Sequence, residues 1–330
     1  MSQSVLVTGG AGYIGSHACK ALAQAGYVPV TYDNLSRGHR HAVRWGPLVE
    51  AGIGDRTAVL AALKEHRISS VMHFAAYAYV GESGINPALY YSNNVVGTLA
   101  LLDAMREVGI DRLVFSSSCA TYGVPDVVPM AETTVQRPVN AYGETKLAIE
   151  RVLYWYGAAY GLRSVALRYF NASGCDRGGE IGEEHDPETH LIPLVLRAAL
   201  SSGPPVSIFG TDYPTPDGTA IRDYIHVDDL AIAHVRALGY LEKGGASTAL
   251  NLATGQGYSV REIIAAVGRA VGHGVPYREA PRRLGDPPEL IADPSLARSV
   301  LDWRAECSDL DTIIRTALAW EMRHHNERTA

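Results

Sequence analysis

The sequence predicts an α/β chain, a doubly wound parallel sheet followed by a smaller mixed α/β substrate-binding domain. Three observations carry this: β-rich apolar runs alternate with helical segments, a glycine-rich loop joins the first run to the first helix, and the texture changes after about Asn171. The first run, 5–7, ends in glycines and feeds a helix-like stretch at 14–24. A second run at 27–32 closes at Asp33, completing a βαβ unit. Runs at 70–74, 112–116 and 164–167 continue the pattern, separated by helical segments at 88–108 and 142–160. Beyond Asn171 come the glycine and acidic stretch CDRGGEIGEEHDPE and the turn-rich FGTDYPTPDGT. Residues 1–171 are therefore expected to bind a cofactor and 172–330 a substrate, with strands at 225–227 and 249–252 returning to the first domain. Ligands favour such junctions.

At 330 residues, with 47% hydrophobic and 19% charged residues, the chain can bury a large core. Its net charge of −6 offers no basic stripe for nucleic acid. No run reaches the roughly 18 apolar residues of a membrane span. The apolar VLVTGG begins only four residues in, which leaves no room for a signal peptide and points to the cytoplasm. Cys19, Cys119, Cys175 and Cys307 are far apart without a CxxC pair, as expected of reduced thiols. No residue is assigned to a metal; His324 and His325 read as a solvated tail.

In TGGAGYIG, Gly9, Gly12 and Gly15 have the spacing GxxGxxG between a strand and a helix. Without Cβ atoms they permit a tight turn and let backbone N–H groups and the helix dipole meet a pyrophosphate. Asp33 stands at the end of the second strand, where a carboxylate accepts hydrogen bonds from ribose hydroxyls. Together they indicate a Rossmann-type domain. The carboxylate repels a 2′-phosphate, favouring NAD over NADP, although Arg37 partly offsets this. The plain alternative is a tight turn with Asp33 capping the next element.

YGETK places Tyr142 and Lys146 four apart on one helical face. A phenol is a poor base at neutral pH, but neighbouring positive charge from Lys146 and the nicotinamide of NAD+ would lower its pKa. Ser118, just beyond a strand end in FSSSCATYG, can bond the same substrate hydroxyl and relay its proton. YxxxK alone is common on helix surfaces; it gains meaning with the glycine loop upstream and the serines 24 residues before.

VLVTGGAGYIGSH, DNLSRG, HFAAYAYVGES, YYSNNVVGTL, FSSSCATYG, YGETK, LRYFNASG, GTDYPTPDGTAIRDYIHV and APRRLGDPP span nearly the whole chain. With these motifs the sequence resembles the extended short-chain dehydrogenase/reductase family, and within it the UDP-glucose 4-epimerase branch. The resemblance implies that NAD+ removes a hydride from sugar C4 while Tyr142 takes the hydroxyl proton. The 4-keto sugar then turns and is reduced on its other face, inverting C4. It also implies that Gly9, Gly12, Tyr13, Ile14, Gly15, Asp33, Asn34, Ile53, Phe74, Ala75, Asn93, Ser116, Tyr142, Lys146 and Tyr169 meet NAD, with Tyr169 near the nicotinamide. On the UDP-sugar side it implies Ser118, Tyr142, Asn171, Arg222, Tyr224, Arg283 and Asp286, with Leu191 and Phe209 flanking the uracil and Leu290 at the sugar. A homodimer built on apolar faces of 88–108 and 148–160 is a further implication.

Three departures from the branch matter. Gly52 stands where relatives carry an acidic residue for adenine, leaving the Ile53 backbone or a shifted Asp55. Ala78 replaces a lysine that touches NAD. Leu290 replaces a tyrosine that narrows the sugar pocket, so UDP-GlcNAc and UDP-GalNAc are admitted as candidate substrates beside UDP-glucose and UDP-galactose. AYVGES and CATYG also resemble UDP-xylose/UDP-arabinose 4-epimerases. A 4,6-dehydratase would need an acidic pair where Cys119 and Ala120 stand. An NAD-sensing regulatory protein would not need the Tyr-Lys pair.

Overall fold

The structure is a computed structural model describing residues 2–283 and 285–329, with side chains described to residue 323. The tail histidines His324 and His325 thus lie outside the described side chains. In chain order the elements are β1 (Ser4–Thr8), α1 (Tyr13–Gln24), β2 (Val28–Asp33), β3 (Leu48–Glu50), α2 (Arg56–Glu65), β4 (Ile68–His73), α3 (Val80–Ile85), α4 (Pro87–Tyr90), α5 (Gly97–Val108), β5 (Arg112–Ser116), α6 (Ala141–Tyr160), β6 (Arg163–Tyr169) and β7 (Asn171–Ser173). Next come α7 (Leu191–Ala199), β8 (Val206–Phe209), β9 (Ile221–Arg222), β10 (Tyr224–His226), α8 (Val227–Glu242), β11 (Thr248–Leu252), β12 (Tyr258–Ser259), α9 (Val260–Val271), β13 (Tyr277–Ala280), β14 (Glu289–Leu290), α10 (Ser295–Leu301) and α11 (Leu310–Thr329).

Seven parallel strands form the main sheet in the order β11-β6-β5-β4-β1-β2-β3. The order reverses between β1 and β4, and ligands of such sheets bind beyond the strand carboxyl ends at that switch. Both faces are covered, as a parallel sheet requires. In β1, Val5 and Val7 enter the core on one face and Leu6 the core on the other, all fully buried. Each such side chain contributes about 1.5–3 kcal/mol. One face carries α1 and α8, the other α2, α5 and α6.

The expected runs become strands within one or two residues of their predicted ends. Residues 249–252 join the large sheet, in register with β6. The run at 225–227 does not: Tyr224–His226 pairs with Asn171–Ser173 in a separate two-stranded sheet, and Val227 already begins α8. Its hydrogen-bonding groups are satisfied by the short strand that follows β6. The helix expected over 88–108 is interrupted by a π-helical turn at Tyr91–Val96, a feature often found beside functional sites. Helix α6 starts where Asn140 accepts a hydrogen bond from Gly143 N (2.8 Å) and stops at Gly161 in the left-handed conformation. That fixes the helix carrying Tyr142 and Lys146.

Candidate functional site

The glycine loop leaves β1 and turns at Gly9, whose φ of +74° favours glycine. A Cβ on Gly9 would lie 2.7 Å from Ala75 N, and one on Gly15 only 2.1 Å from the Gly9 carbonyl oxygen. Helix and strand ends can approach only because both are glycine. Gly12 caps α1 without a side-chain acceptor, and no described carboxylate occupies the first turn. The N–H groups of Tyr13, Ile14 and Gly15 therefore face outward without intrahelical partners, a fit for a pyrophosphate. The Tyr13 hydroxyl donates to the Gly174 carbonyl (2.5 Å), and Ile14 packs on the core.

Asp33 ends β2 beside this loop. Its carboxylate accepts from Ala11 N (3.0 Å) and Leu35 N (2.8 Å), and burial raises its pKa against those two bonds. Arg37, expected to offset the charge of Asp33, instead pairs with Glu82 (2.8 Å) and donates to the Asp186 carbonyl (3.0 Å). Asn34 accepts from Ser36 N at the surface. Ile53 is buried and belongs to the core, and Asp55 caps α2 by accepting from Ala58 N (3.0 Å). Phe74 follows β4 and packs against His234, with ring centroids 4.6 Å apart, while Ala75 borders Gly9. Asn93 donates to its neighbour Asn94, and Asn94 is the buried member of the pair. It bonds both Tyr77 backbone groups and Thr145 of α6.

Across β5, Lys146 donates to the Ser116 carbonyl (2.7 Å), lies 4.9 Å over the Phe115 ring, and is 5.7 Å from the Tyr142 ring centre. Ser118 reaches the Tyr142 phenol and also accepts from Ala120 N. Ser116 and Tyr169 share a hydroxyl-hydroxyl bond of 2.5 Å. The three predicted catalytic groups are thus gathered at the strand ends.

The electrostatics differ from the expectation that Lys146 lowers the Tyr142 pKa. Burial, then Tyr169, holds the phenol well above its usual range, and only Ser118 opposes them. Burial also pushes the Lys146 ammonium down to about 7, with Glu150 working against it. Low polarity disfavours both charged forms, so the protein alone keeps an acid-competent phenol and a lysine poised near neutrality.

On the other side, Asn171 opens β7, its N–H donating to the Asp223 carbonyl (3.0 Å). Arg222 is ion-paired with Asp286 and lies opposite Leu290 in the β9–β14 ladder. Leu290 and Cys119 pack on the same small apolar cluster of Tyr122, Met130, Phe170, Ala253 and Ala292. Tyr224 is buried and pushed up to about 12 by burial. Leu191 begins α7, Phe209 ends β8, and the Arg283 guanidinium covers the Phe209 ring at 4.0 Å. A base stacking on Phe209 must displace Arg283 or sandwich with it. His73, His234, Asn94 and the buried Glu150–Arg168 pair were missed, because single polar residues inside apolar runs carry no spacing signal.

A profile of the NAD dependent epimerase/dehydratase family matches residues 5–253. The chain belongs to that family. It is 52% identical over 324 residues, 98% of each chain, to the UDP-glucose 4-epimerase of Rhizobium meliloti (strain 1021). Among solved structures it is similar to the UDP-glucose 4-epimerase from Brucella ovis in complex with NAD (55% identity, TM-score 0.95, 96% and 98% of the two chains). It is also similar to the UDP-glucose-4-epimerase from Stenotrophomonas maltophila with bound NAD and formylated UDP-arabinopyranose (42% identity, TM-score 0.95, all of both chains). The fold is that of an NAD-dependent epimerase, and NAD is its cofactor. Among the described residues no helix is long and apolar enough to cross a membrane.

Proposed function

We propose that this chain interconverts UDP-glucose and UDP-galactose by oxidising and re-reducing sugar C4. The observation that carries the proposal is the convergence of Ser118, Tyr142 and Lys146 at the carboxyl ends of the sheet in a chain 52% identical to a UDP-glucose 4-epimerase over nearly its full length. Bound NAD+ would supply the hydride acceptor and a positive charge. Tyr142 takes the C4 hydroxyl proton and later returns it. Ser118 holds that hydroxyl and passes the proton, and Lys146, fixed by the Ser116 carbonyl, favours the phenolate once charged. An equilibrium assay starting from UDP-galactose, UDP-GalNAc and UDP-xylose in parallel tests this. Growth of UDP-glucose from UDP-galactose without accumulation of NADH is expected, and its absence would remove the reading.

The cofactor half, 1–171, presents Gly9, Gly12, Tyr13, Ile14, Gly15, Asp33, Asn34, Ile53, Phe74, Ala75, Asn93, Ser116 and Tyr169 to NAD. Asn171, with Arg222, Tyr224, Arg283 and Asp286 from the half at 172–330, is assigned to the diphosphate and ribose, and Leu191 and Phe209 to the base. Guanidinium forks suit phosphate oxygens. With Arg37 paired to Glu82, its guanidinium is drawn away from compensating a 2′-phosphate at Asp33. Asp33→Asn should narrow the preference for NAD over NADP about ten- to hundredfold, the worth of about 1.5–3 kcal/mol for a hydrogen bond to a charged group. Titration of cofactor-stripped protein with each dinucleotide reads it; an unchanged ratio would exclude Asp33 from ribose recognition.

A pentose reading is favoured by one observation: the Stenotrophomonas maltophila relative holds a UDP-arabinopyranose derivative. Leu290 bears on the other direction. Leucine has less bulk than tyrosine at this position, so Leu290→Tyr should lower kcat/KM for UDP-GalNAc about tenfold or more and spare UDP-galactose, as overpacking costs about 1–3 kcal/mol. Equal losses for both would detach Leu290 from sugar selection. A homodimer is proposed through α6, where Tyr154, Trp155 and Tyr160 are each more than half exposed. Light scattering reporting a monomer would overturn it. The cytoplasm is the proposed place of action.

A further inference from the structure

Four side chains that the proposed chemistry does not use converge just before α7: Glu183, His185, Glu188 and His190. One carboxylate oxygen or imidazole nitrogen from each lies within 4.8 Å of the others. Glu183 Oε1 is 3.1 Å from His185 Nδ1 and 2.9 Å from His190 Nδ1. Glu188 Oε1 is 2.9 Å from His190 Nδ1, and Glu188 Oε2 is 3.8 Å from His185 Nδ1. Ligands on a tetrahedral shell with bonds of about 2.0–2.1 Å sit roughly 3.3–3.4 Å apart, within this spread.

A second observation points to a cation. The Glu188 side chain is 1% exposed, yet its Oε2 has no hydrogen-bond partner. The charges nearest it are His185 Nδ1 and Arg197 Nη2, the latter 3.9 Å away. A buried carboxylate oxygen left without a donor is costly, and an ion would satisfy it. Glu183 and His185 are largely buried, while the His190 side chain is 42% exposed and offers a path in.

We propose that Glu183, His185, Glu188 and His190 bind one divalent transition ion, Zn2+ by preference, which fastens the segment before α7 against the cofactor loop. Two imidazoles and two carboxylates suit Zn2+ rather than Ca2+ or Mg2+, which take oxygen ligands in larger number. The link to the loop is direct: the His185 ring meets the edges of Tyr13 at 5.9 Å and Tyr79 at 6.0 Å. Tyr13 is the first residue of α1.

Without the ion the cluster holds itself together by charge. The carboxylates raise both imidazoles against burial, His185 to about 9 and His190 to about 10.

The test uses the full chain stripped by chelator and then equilibrated with ZnCl2. Expected are one Zn2+ per chain by elemental analysis, a one-site binding isotherm by calorimetry, and tetrahedral visible bands with Co2+. His185→Gln and Glu188→Gln should each weaken binding about 100-fold or more, whereas His39→Ala, in the neighbouring group of His39, His41 and Glu184, should not. Sub-stoichiometric Zn2+, an octahedral Co2+ spectrum, or full retention by His185→Gln would overturn the proposal. The wild-type spectrum and metal content decide the matter even if a variant misfolds, and none of these readouts depends on turnover.

Discussion

Tyr142→Phe should lower kcat for UDP-galactose by about 10²- to 10⁴-fold, the range of a lost general acid-base group, while NAD remains bound. The substitution removes one oxygen from a buried site and keeps the ring that faces Lys146 at 5.7 Å. Ser118 and Lys146 stay anchored by Ala120 N and the Ser116 carbonyl, so binding geometry survives. Because the loss falls on proton transfer, kcat and kcat/KM should drop together. Steady-state kinetics with a parallel measure of bound NAD checks it. A change in KM alone would mean that Tyr142 only positions the sugar.

Glu150→Ala should destabilise the protein by about 3–5 kcal/mol, because it leaves a buried guanidinium uncompensated. Glu150 Oε1 accepts from Ser117 Oγ (2.5 Å) and Arg168 Nε (2.9 Å), and Oε2 accepts from Arg168 Nη2 (2.5 Å) and Gln136 (3.1 Å). Both side chains of the ion pair are under 10% exposed. The variant leaves Arg168 with only the Tyr122 hydroxyl and the Glu132 carbonyl among the partners seen. Activity should fall as well, since Ser117 precedes Ser118 and Glu150 is the group that opposes the burial of Lys146. Denaturant titration reads the stability; a loss under about 1 kcal/mol would show that Arg168 finds other partners.

Much of this architecture is legible in the residues because it follows from local rules. VLVT before TGGAGYIG can be read as strand, turn and helix, since the φ of Gly9 favours glycine and the contact at Gly15 leaves no room for a Cβ. YGETK on a helix and serines at a strand end likewise identify their neighbours through fixed periodicity. What was not legible depends on tertiary partners. The strand near 225 packs Ile225 into one core with Val5 and Val7, but its pairing partner was not legible, because pairing with Asn171–Ser173 leaves no trace in either segment. The π-turn at Tyr91–Val96 has the composition of ordinary helix. The Tyr142 and Lys146 shifts oppose the simple charge argument because burial outweighs it. The Glu183–His190 cluster lies in irregular backbone, where no period signals that E-x-H-x-x-E-x-H converges.

The most direct test of the central claim is to run the reaction with UDP-galactose carrying deuterium at C4 and follow the label in the product. Oxidation and re-reduction by one retained NAD predict UDP-glucose with the deuterium still on C4 and none washed into solvent. Epimerised product that has lost the label to water would contradict hydride transfer and the roles assigned here to Tyr142 and the glycine loop.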